Sequence, residues 1–414
     1  MQRRSKPLEL TWIDKDEREP VEPHTLVERP ESSCGTPDSG PTSGPRANML
    51  IHGDNLLALA ALERDFAGKV KCIYIDPPYN TGSDFEHYSD GVQHSAWLSM
   101  MRDRLERMKP LLHEDGIIFV QIDDRELAYL HVLMDEVFGR PNRVNLITVK
   151  MSEVSGVKMK HVDKRLPKLK EFILVYGKRP NVSIHPIRVT KPPERLAKYL
   201  KYYTSIIENP DDAPESWRIV RIKTFMKEAG LKTDAASVQA FQLQERHRVV
   251  YRTNNRMLAR LSFPTTTAKV ISPKGLTYIW WEGKQMLFLS DHCEEYLGDL
   301  WTDISTINLN KEGGVAFRYS KKPEALIRRV IELSTQPGDL VLDAFAGSGT
   351  TAAVAHKLGR RWIAIERGDH CISHALPRLQ KVVSGADPGG ISTAVGWSGG
   401  GAFRCYTLAL RKPQ

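Results

Sequence analysis

Val70-Lys-Cys-Ile-Tyr-Ile-Asp-Pro-Pro-Tyr79 begins as a short apolar run and ends abruptly at an acid and two prolines. Runs of this kind are buried inside parallel sheets. The prolines have no amide hydrogen to give a neighbouring strand, so pairing stops at Ile75 and Asp76 starts the loop beyond the strand's carboxyl end. In a doubly wound α/β sheet, ligands bind there. The residues suit one task. A carboxylate oxygen on Asp76 and the carbonyl of Pro77 are adjacent acceptors, able to take both hydrogens of an exocyclic NH2 group. The Pro77-Pro78 rings fix their separation, and Tyr79 offers a flat face on which a planar base can stack.

The surroundings keep an α/β rhythm. Trp97, Met101, Leu105, Met108 and Leu112 recur at steps of three or four and predict an amphipathic helix. Gly116-Ile-Ile-Phe-Val-Gln-Ile122 predicts the next buried strand, and a helical pattern follows through Phe138. A second block opens with a helix at Lys322-Pro-Glu-Ala-Leu, where Pro323 suits a first turn. Leu340-Val-Leu-Asp343 is a strand, and Asp343-Ala-Phe-Ala-Gly-Ser-Gly-Thr350 is a tight turn into a helix. Gly347 and Gly349 let the backbone approach a ligand. The turn lacks the lysine of a phosphate-cradling loop and is not GxGxxG. Glu366, at the end of the next strand, is placed to accept hydrogen bonds from ribose hydroxyls. A nucleoside cofactor without a diphosphate fits. Asp54, in Ile51-His-Gly-Asp-Asn-Leu56, is open to two roles: a partner for an adenine amino group, or a cap for the following helix.

With 414 residues, 41% hydrophobic and 26% charged, the chain has the makeup of a globular protein. It has no membrane-length apolar run, and its first residues have no apolar core, so a soluble cytoplasmic protein is expected. The cysteines at 34, 72, 293, 371 and 405 form no CxxC or Cys/His cluster, so neither a disulfide framework nor a metal site is expected. The net charge of +9 is unevenly placed. From Lys150 to Arg260 there are 24 Lys/Arg against 11 Asp/Glu, a net of +13, which leaves −4 for everything else. The segment also carries Tyr199, Tyr202, Tyr203, Trp217, Tyr251, Trp280 and Trp281. Basic charge with aromatics suits a nucleic-acid surface. The expected divisions are an N-terminal arm, partly flexible, at 1–48, a catalytic half at 49–149, a basic insert at 150–314, a cofactor half at 315–384, and a Gly-rich tail with a strand at 385–414.

These motifs together resemble the amino-group DNA methyltransferases that use S-adenosyl-L-methionine. Asp76-Pro-Pro-Tyr79 resembles the family's catalytic tetrapeptide and Phe345-Ala-Gly-Ser-Gly349 its cofactor loop. With the catalytic motif first and a long insert between, the order resembles the β group. Ile75-Asp-Pro-Pro-Tyr-Asn-Thr-Gly82 and Gly396-Trp-Ser-Gly-Gly-Gly-Ala-Phe403 look most like modification subunits of type III restriction systems. The resemblance implies a Rossmann-like methyltransferase sheet with an inserted target-recognition domain. It implies that Asp76, Pro77, Pro78 and Tyr79 hold and stack the target base. Asp54, Asp76, Lys322, Pro323, Asp343, Phe345, Ala346, Gly347, Gly349, Thr350 and Glu366 would form the cofactor pocket. Double-stranded DNA is the implied partner, with a homodimer and a separate restriction polypeptide as further expectations.

The expected chemistry is methyl transfer to N6 of a flipped adenine, with N4 of cytosine as the alternative. An exocyclic amine is a poor nucleophile because its lone pair is delocalised into the ring. Accepting both N–H hydrogens localises it, and positioning supplies much of the rate. Methylation at cytosine carbon 5 is disfavoured because no Pro-Cys pair occurs. A dehydrogenase would share Gly-x-Gly with a downstream acid.

Overall fold

The computed structural model describes residues 9–18, 20–35, 48–80, 84–85, 88–89, 93–153, 163–164, 166–253, 268–271, 277–281, 284–307, 309–315, 317 and 321–411. Two compact units emerge, one of 1–185 with 298–414 and one of 186–297.

The first unit is built on a ten-stranded sheet. Its strands run in the spatial order His24–Glu28, Phe403–Leu410, Asn48–His52, Arg361–Glu366, Leu340–Asp343, Val70–Ile75, Leu112–Ile122, Lys170–Gly177, Arg143–Lys150 and Leu300–Trp301. The six from Phe403–Leu410 to Leu112–Ile122 are parallel. Lys170–Gly177 runs antiparallel to both its neighbours. Ile73, Ile75, Ile118, Val120 and Ile122 are fully buried, which is why these strands read as continuous apolar runs. The helix His94–Leu111 lays Trp97, Met101, Leu105 and Met108 on this core, all with no exposed surface. Each such side chain contributes roughly 1.5–3 kcal/mol by leaving water.

The expected divisions shift at three places. The basic insert expected at 150–314 is replaced by a unit of 186–297. Phe172-Ile-Leu-Val-Tyr176 is an apolar strand that pairs inside the main sheet, so the insert cannot begin before it. The tail also belongs to the sheet, because Phe403–Leu410 fills the place beside Asn48–His52. The arm at 1–48 is partly built in. His24–Glu28 pairs with that last strand, and Trp12 Nε1 donates to Ser99 Oγ at 2.8 Å. Positions 36–47 of that arm lie outside the described residues.

The second unit carries a six-stranded antiparallel sheet ordered Ile219–Arg221, Ser205–Ile207, Val249–Thr253, Lys284–Phe288, Thr277–Trp281 and Ala268–Ile271. Leu196, Leu200, Tyr203, Met226 and Leu289 form a core beside it. The aromatics of this segment therefore divide. Tyr203 is core, and Trp217 and Trp281 pack against a second apolar cluster. Tyr199 and Tyr202 are exposed, with Lys191 and Lys201 ammonium groups over their rings. The side chain of Trp280 lies outside the described residues.

Candidate active site

The parallel strands Val70–Ile75, Leu340–Asp343 and Arg361–Glu366 end at one edge of the sheet. Their carboxyl ends release Asp76, the Asp343–Thr350 turn and the Glu366 loop side by side. These segments line one cavity of about 670 Å³. Of the residues expected at the site, Asp54, Asp76, Pro78, Lys322, Asp343, Phe345, Ala346, Gly347, Thr350 and Glu366 line it. Pro77, Tyr79, Pro323 and Gly349 do not, and each has a different place.

Gly347 and Gly349 are needed for different reasons. Both have positive φ, +53° and +75°. A Cβ on Gly347 would meet nothing within 4 Å, so the missing side chain leaves open space for a ligand. A Cβ on Gly349 would lie 3.2 Å from Ala375 Cβ, so this glycine lets the helix Thr350–Lys357 start close against its neighbour. The turn is held by side chains. Asp343 Oδ1 accepts from Phe345 N at 2.9 Å, and Glu366 Oε2 accepts from Gly347 N at 2.8 Å. Glu366 Oε1 takes Gly368 N at 2.9 Å and lies 3.1 Å from His370 Nε2. Burial alone would push the Glu366 carboxyl up. Hydrogen bonds from His370 and the two glycine amides more than offset that, so it titrates below its ordinary range.

Asp54 takes both of its possible roles. Its Oδ1 caps the helix Asn55–Phe66 through Leu56 N at 2.8 Å, while the residue also lines the cavity. Arg104, which the sequence reading missed, sits 3.4 Å from Asp54 Oδ2 and donates to Asn55 Oδ1 at 2.5 Å. Phe317 and His370 were missed as well. Both line the cavity, with ring centroids 5.4 Å apart.

On the other side, Asp76 is the centre of a polar group. Lys322 Nζ lies 2.8 Å from Asp76 Oδ2 and 4.9 Å from the centre of the Tyr79 ring. Lys322 therefore faces the Asp76–Tyr79 tetrapeptide as well as the cavity. Pro323 stands one position before the helix Glu324–Ser334, in extended conformation. Tyr79 donates towards two carboxylates, Asp76 Oδ1 at 2.6 Å and Glu171 Oε2 at 2.7 Å. Gln121 Nε2 donates to the same Glu171 oxygen at 2.6 Å, and Tyr74 donates to Gln121 Oε1 at 2.5 Å. Burial pushes the Asp76 carboxyl up, and Glu171 adds to this against the pull of Lys322. Burial also acts on Glu171, but Lys322, Gln121 and Tyr79 more than offset it and hold this carboxyl below its ordinary range.

The two prolines are not equivalent. Trp97 Nε1 donates to the carbonyl of Pro78 at 2.8 Å. Among the described residues nothing donates to the carbonyl of Pro77. Its oxygen keeps its accepting capacity beside the Asp76 carboxylate, as a clamp for two amine hydrogens requires.

The cavity lining also tests the cofactor. It holds five carboxylates (Asp54, Asp76, Asp343, Glu366, Asp369) against three Lys/Arg side chains, so it is acidic in a basic chain. S-adenosyl-L-methionine carries a sulfonium and an ammonium against one carboxylate. Its net positive charge and its nucleoside match this lining.

A family model described as DNA methylase (N6_N4_Mtase) matches residues 70–376, and the chain belongs to that family. The chain is 39% identical over 418 residues to the probable type III restriction-modification enzyme HindVI Mod subunit of Haemophilus influenzae. That match covers 88% of this chain and 54% of the relative. It is 25% identical over 336 residues to the DNA adenine methyltransferase YhdJ of Escherichia coli, covering 81% of this chain and 84% of that one. A crystal structure of the M1.HpyAVI–SAM complex covers 80% of this chain and 98% of that chain, at 15% identity and a TM-score of 0.39. The chain spans about half the length of the type III relatives it matches. Among the described residues, no helix is long and apolar enough to cross a membrane.

Proposed function

We propose that this chain transfers a methyl group from S-adenosyl-L-methionine to the exocyclic N6 amine of an adenine flipped out of duplex DNA. In the cell it would serve a restriction-modification system whose restriction subunit is a separate polypeptide. The observation that carries the reading is the shared cavity. Asp76 and Pro78 on one side, and Asp343, Phe345, Gly347 and Glu366 on the other, come from segments more than 250 residues apart and line one space.

The residues divide the work. Asp76 and the Pro77 carbonyl accept the two amine hydrogens and turn the lone pair towards the cavity. Glu366 and the open side of Gly347 receive the nucleoside and methionine parts of the cofactor, and Asp54 its adenine end. The cofactor supplies an electrophilic sulfonium methyl. The exposed Tyr199 and Tyr202, with their lysines, suit contact with nucleic acid in the second unit. The test is incubation with labelled S-adenosyl-L-methionine and duplex DNA, followed by digestion to nucleosides and mass analysis. N6-methyladenine is expected. Abundant N4-methylcytosine would move the target to the other base, and DNA without label would refute the reading.

Cofactor affinity should depend on pH. Burial pushes the Asp343 carboxyl up to about 7, opposed by hydrogen bonds from Thr351 and the Phe345 amide and reinforced by Asp76 and Glu366. A cationic ligand needs that carboxyl ionised. Below pH about 7 binding must first expel a proton, so affinity should weaken by up to about tenfold per pH unit, and above it the dependence should flatten. Titration calorimetry across this range on the wild type and on Asp343→Asn checks it. The variant should bind weakly at every pH, with a flatter profile. A wild-type affinity that is level through pH 7 would contradict the assignment.

A further inference from the structure

We infer that Glu171 is a positioning residue: by accepting the Tyr79 hydroxyl hydrogen, its carboxylate prepares Asp76 to take and keep the proton released by the methylated amine. The inference rests on the proposed function and deepens it.

The argument starts from counting hydrogens. The Tyr79 hydroxyl has one hydrogen but lies 2.6 Å from Asp76 Oδ1 and 2.7 Å from Glu171 Oε2. Both separations are those of charge-assisted O–H···O bonds. One hydrogen cannot fill both. With both carboxylates ionised, one oxygen would face Tyr79 without a proton between them. The trio is fully hydrogen-bonded only with one extra proton, arranged as Asp76–OH to Tyr79–OH to Glu171 carboxylate. The geometry therefore contains a place for one proton at the atom that holds the target amine.

The reaction yields that proton. As the nitrogen–methyl bond forms, the methyl–sulfur bond breaks with its electron pair on sulfur. The nitrogen then carries a positive charge and sheds one of its two hydrogens to Asp76. Asp76 keeps that proton and donates it to the Tyr79 oxygen, while the Tyr79 hydroxyl donates its own hydrogen to the Glu171 carboxylate. Nothing is oxidised or reduced.

The surroundings make Glu171 the better holder of negative charge, so the proton stays on Asp76. Lys322 Nζ is 3.5 Å from its Oε2 and Gln121 donates to the same oxygen. Gln121 is oriented by Tyr74 on the neighbouring strand. The charged and titratable groups facing Glu171 are thus Asp76, Tyr79, Tyr74 and Lys322. Fold topology explains the placement. Lys170–Gly177 runs antiparallel to Leu112–Ile122, with Phe172 opposite Ile122, so its first residues reach the edge where the parallel strands end.

Glu171→Gln is the decisive variant, because it keeps the size and an accepting oxygen but loses the negative charge that favours a protonated Asp76. In single turnover with saturating cofactor and duplex DNA, its rate should fall about 10- to 100-fold, in the range of one proton-transfer partner. Affinities for both ligands should be unchanged. The wild-type rate should fall as pH drops through the raised Asp76 value, and in the variant that acidic limb should move to lower pH. Tyr79→Phe keeps the ring but breaks the path, so it should cost as much, and the double variant no more than either single one. Glu171→Asp should recover part of the rate. A readout without turnover is infrared titration of the protein alone, in which Asp76 should protonate at lower pH in Glu171→Gln, having lost a negative neighbour. A full rate with the acidic limb unmoved, multiplying effects in the double variant, or an unmoved Asp76 titration would each overturn the relay. If the wild type methylates DNA and Glu171→Gln matches it, only the relay fails. If the wild type labels no duplex, the proposed function fails and the relay with it.

Discussion

Asp76→Ala should reduce methyl transfer to DNA by about 10³-fold or more, the scale seen when a pre-placed polar partner is removed from a transition state. In the proposed reaction the carboxylate would be one of two acceptors that pull the amine nitrogen out of conjugation, and the Pro77 carbonyl alone would take only one hydrogen. The variant should still fold, because Lys322 retains Glu171 at 3.5 Å and Tyr79 retains its 2.7 Å bond to the same oxygen. It should also still bind S-adenosyl-L-methionine, since Asp343 and Glu366 are untouched and are held by the backbone amides of Phe345 and Gly347. Asp76→Asn should lose less, because the amide oxygen still accepts one hydrogen. Single-turnover transfer, calorimetric cofactor binding and thermal unfolding, measured together, separate a chemical loss from a structural one. Normal methylation by Asp76→Ala would remove the site from this cavity.

What the sequence reveals here follows from how local each signal is. The strand Val70–Ile75 and the turn at Asp343–Thr350 are legible because apolar runs, prolines and glycines act on their own neighbours in the chain. The tetrapeptide and the Gly-rich turn carry their chemistry within a few residues, so they could be matched to a pocket before its shape was known. Glu171 could not. It looked like one charge in a basic insert, and its role depends on an antiparallel pairing that brings it to Tyr79, 92 positions away. Phe172-Ile-Leu-Val-Tyr176 was the available signal, an apolar run as strong as the one before Asp76, hidden by the charge count around it. Arg104 and His370 were missed for a related reason. Each is polar on an otherwise ordinary helix or loop, and only the folded cavity shows what it faces.

The largest stability effect is expected behind the Asp343–Thr350 turn. Glu324→Gln should destabilise the protein by about 3–5 kcal/mol, the usual cost of stranding a buried charge. Glu324, Lys357 and Arg378 have no exposed side-chain surface and Asp387 almost none. Glu324 Oε1 takes Arg378 Nη2 at 2.8 Å, and its Oε2 takes Lys357 Nζ at 2.8 Å and the Ile391 amide at 3.0 Å. Lys357 also meets Asp387 Oδ2 at 2.7 Å. Within this group two cations balance two anions, and glutamine would remove the anion that both cations contact. The backbone is fitted to this group. Gly313, at φ +63°, has no room for a Cβ because Arg378 Nε occupies that place. Burial raises the Glu324 carboxyl, but Arg378 and Lys357 more than offset it, so its folded pKa lies below the ordinary 4.5. Its stabilisation is therefore complete above pH 4.5 and is lost as pH falls through the lowered value. Urea unfolding should show the full gap between wild type and variant at neutral pH and a shrinking gap in acid, where the wild-type group also loses its charge. A purely steric defect would keep the gap constant with pH. Arg378 Nη1 also donates to Thr350 Oγ1 at 2.6 Å, which ties the network to the wall of the cavity. Cofactor affinity should fall with stability in Glu324→Gln, whereas a substitution on the exposed side of the helix Glu324–Ser334, such as Arg328→Ala, should change neither.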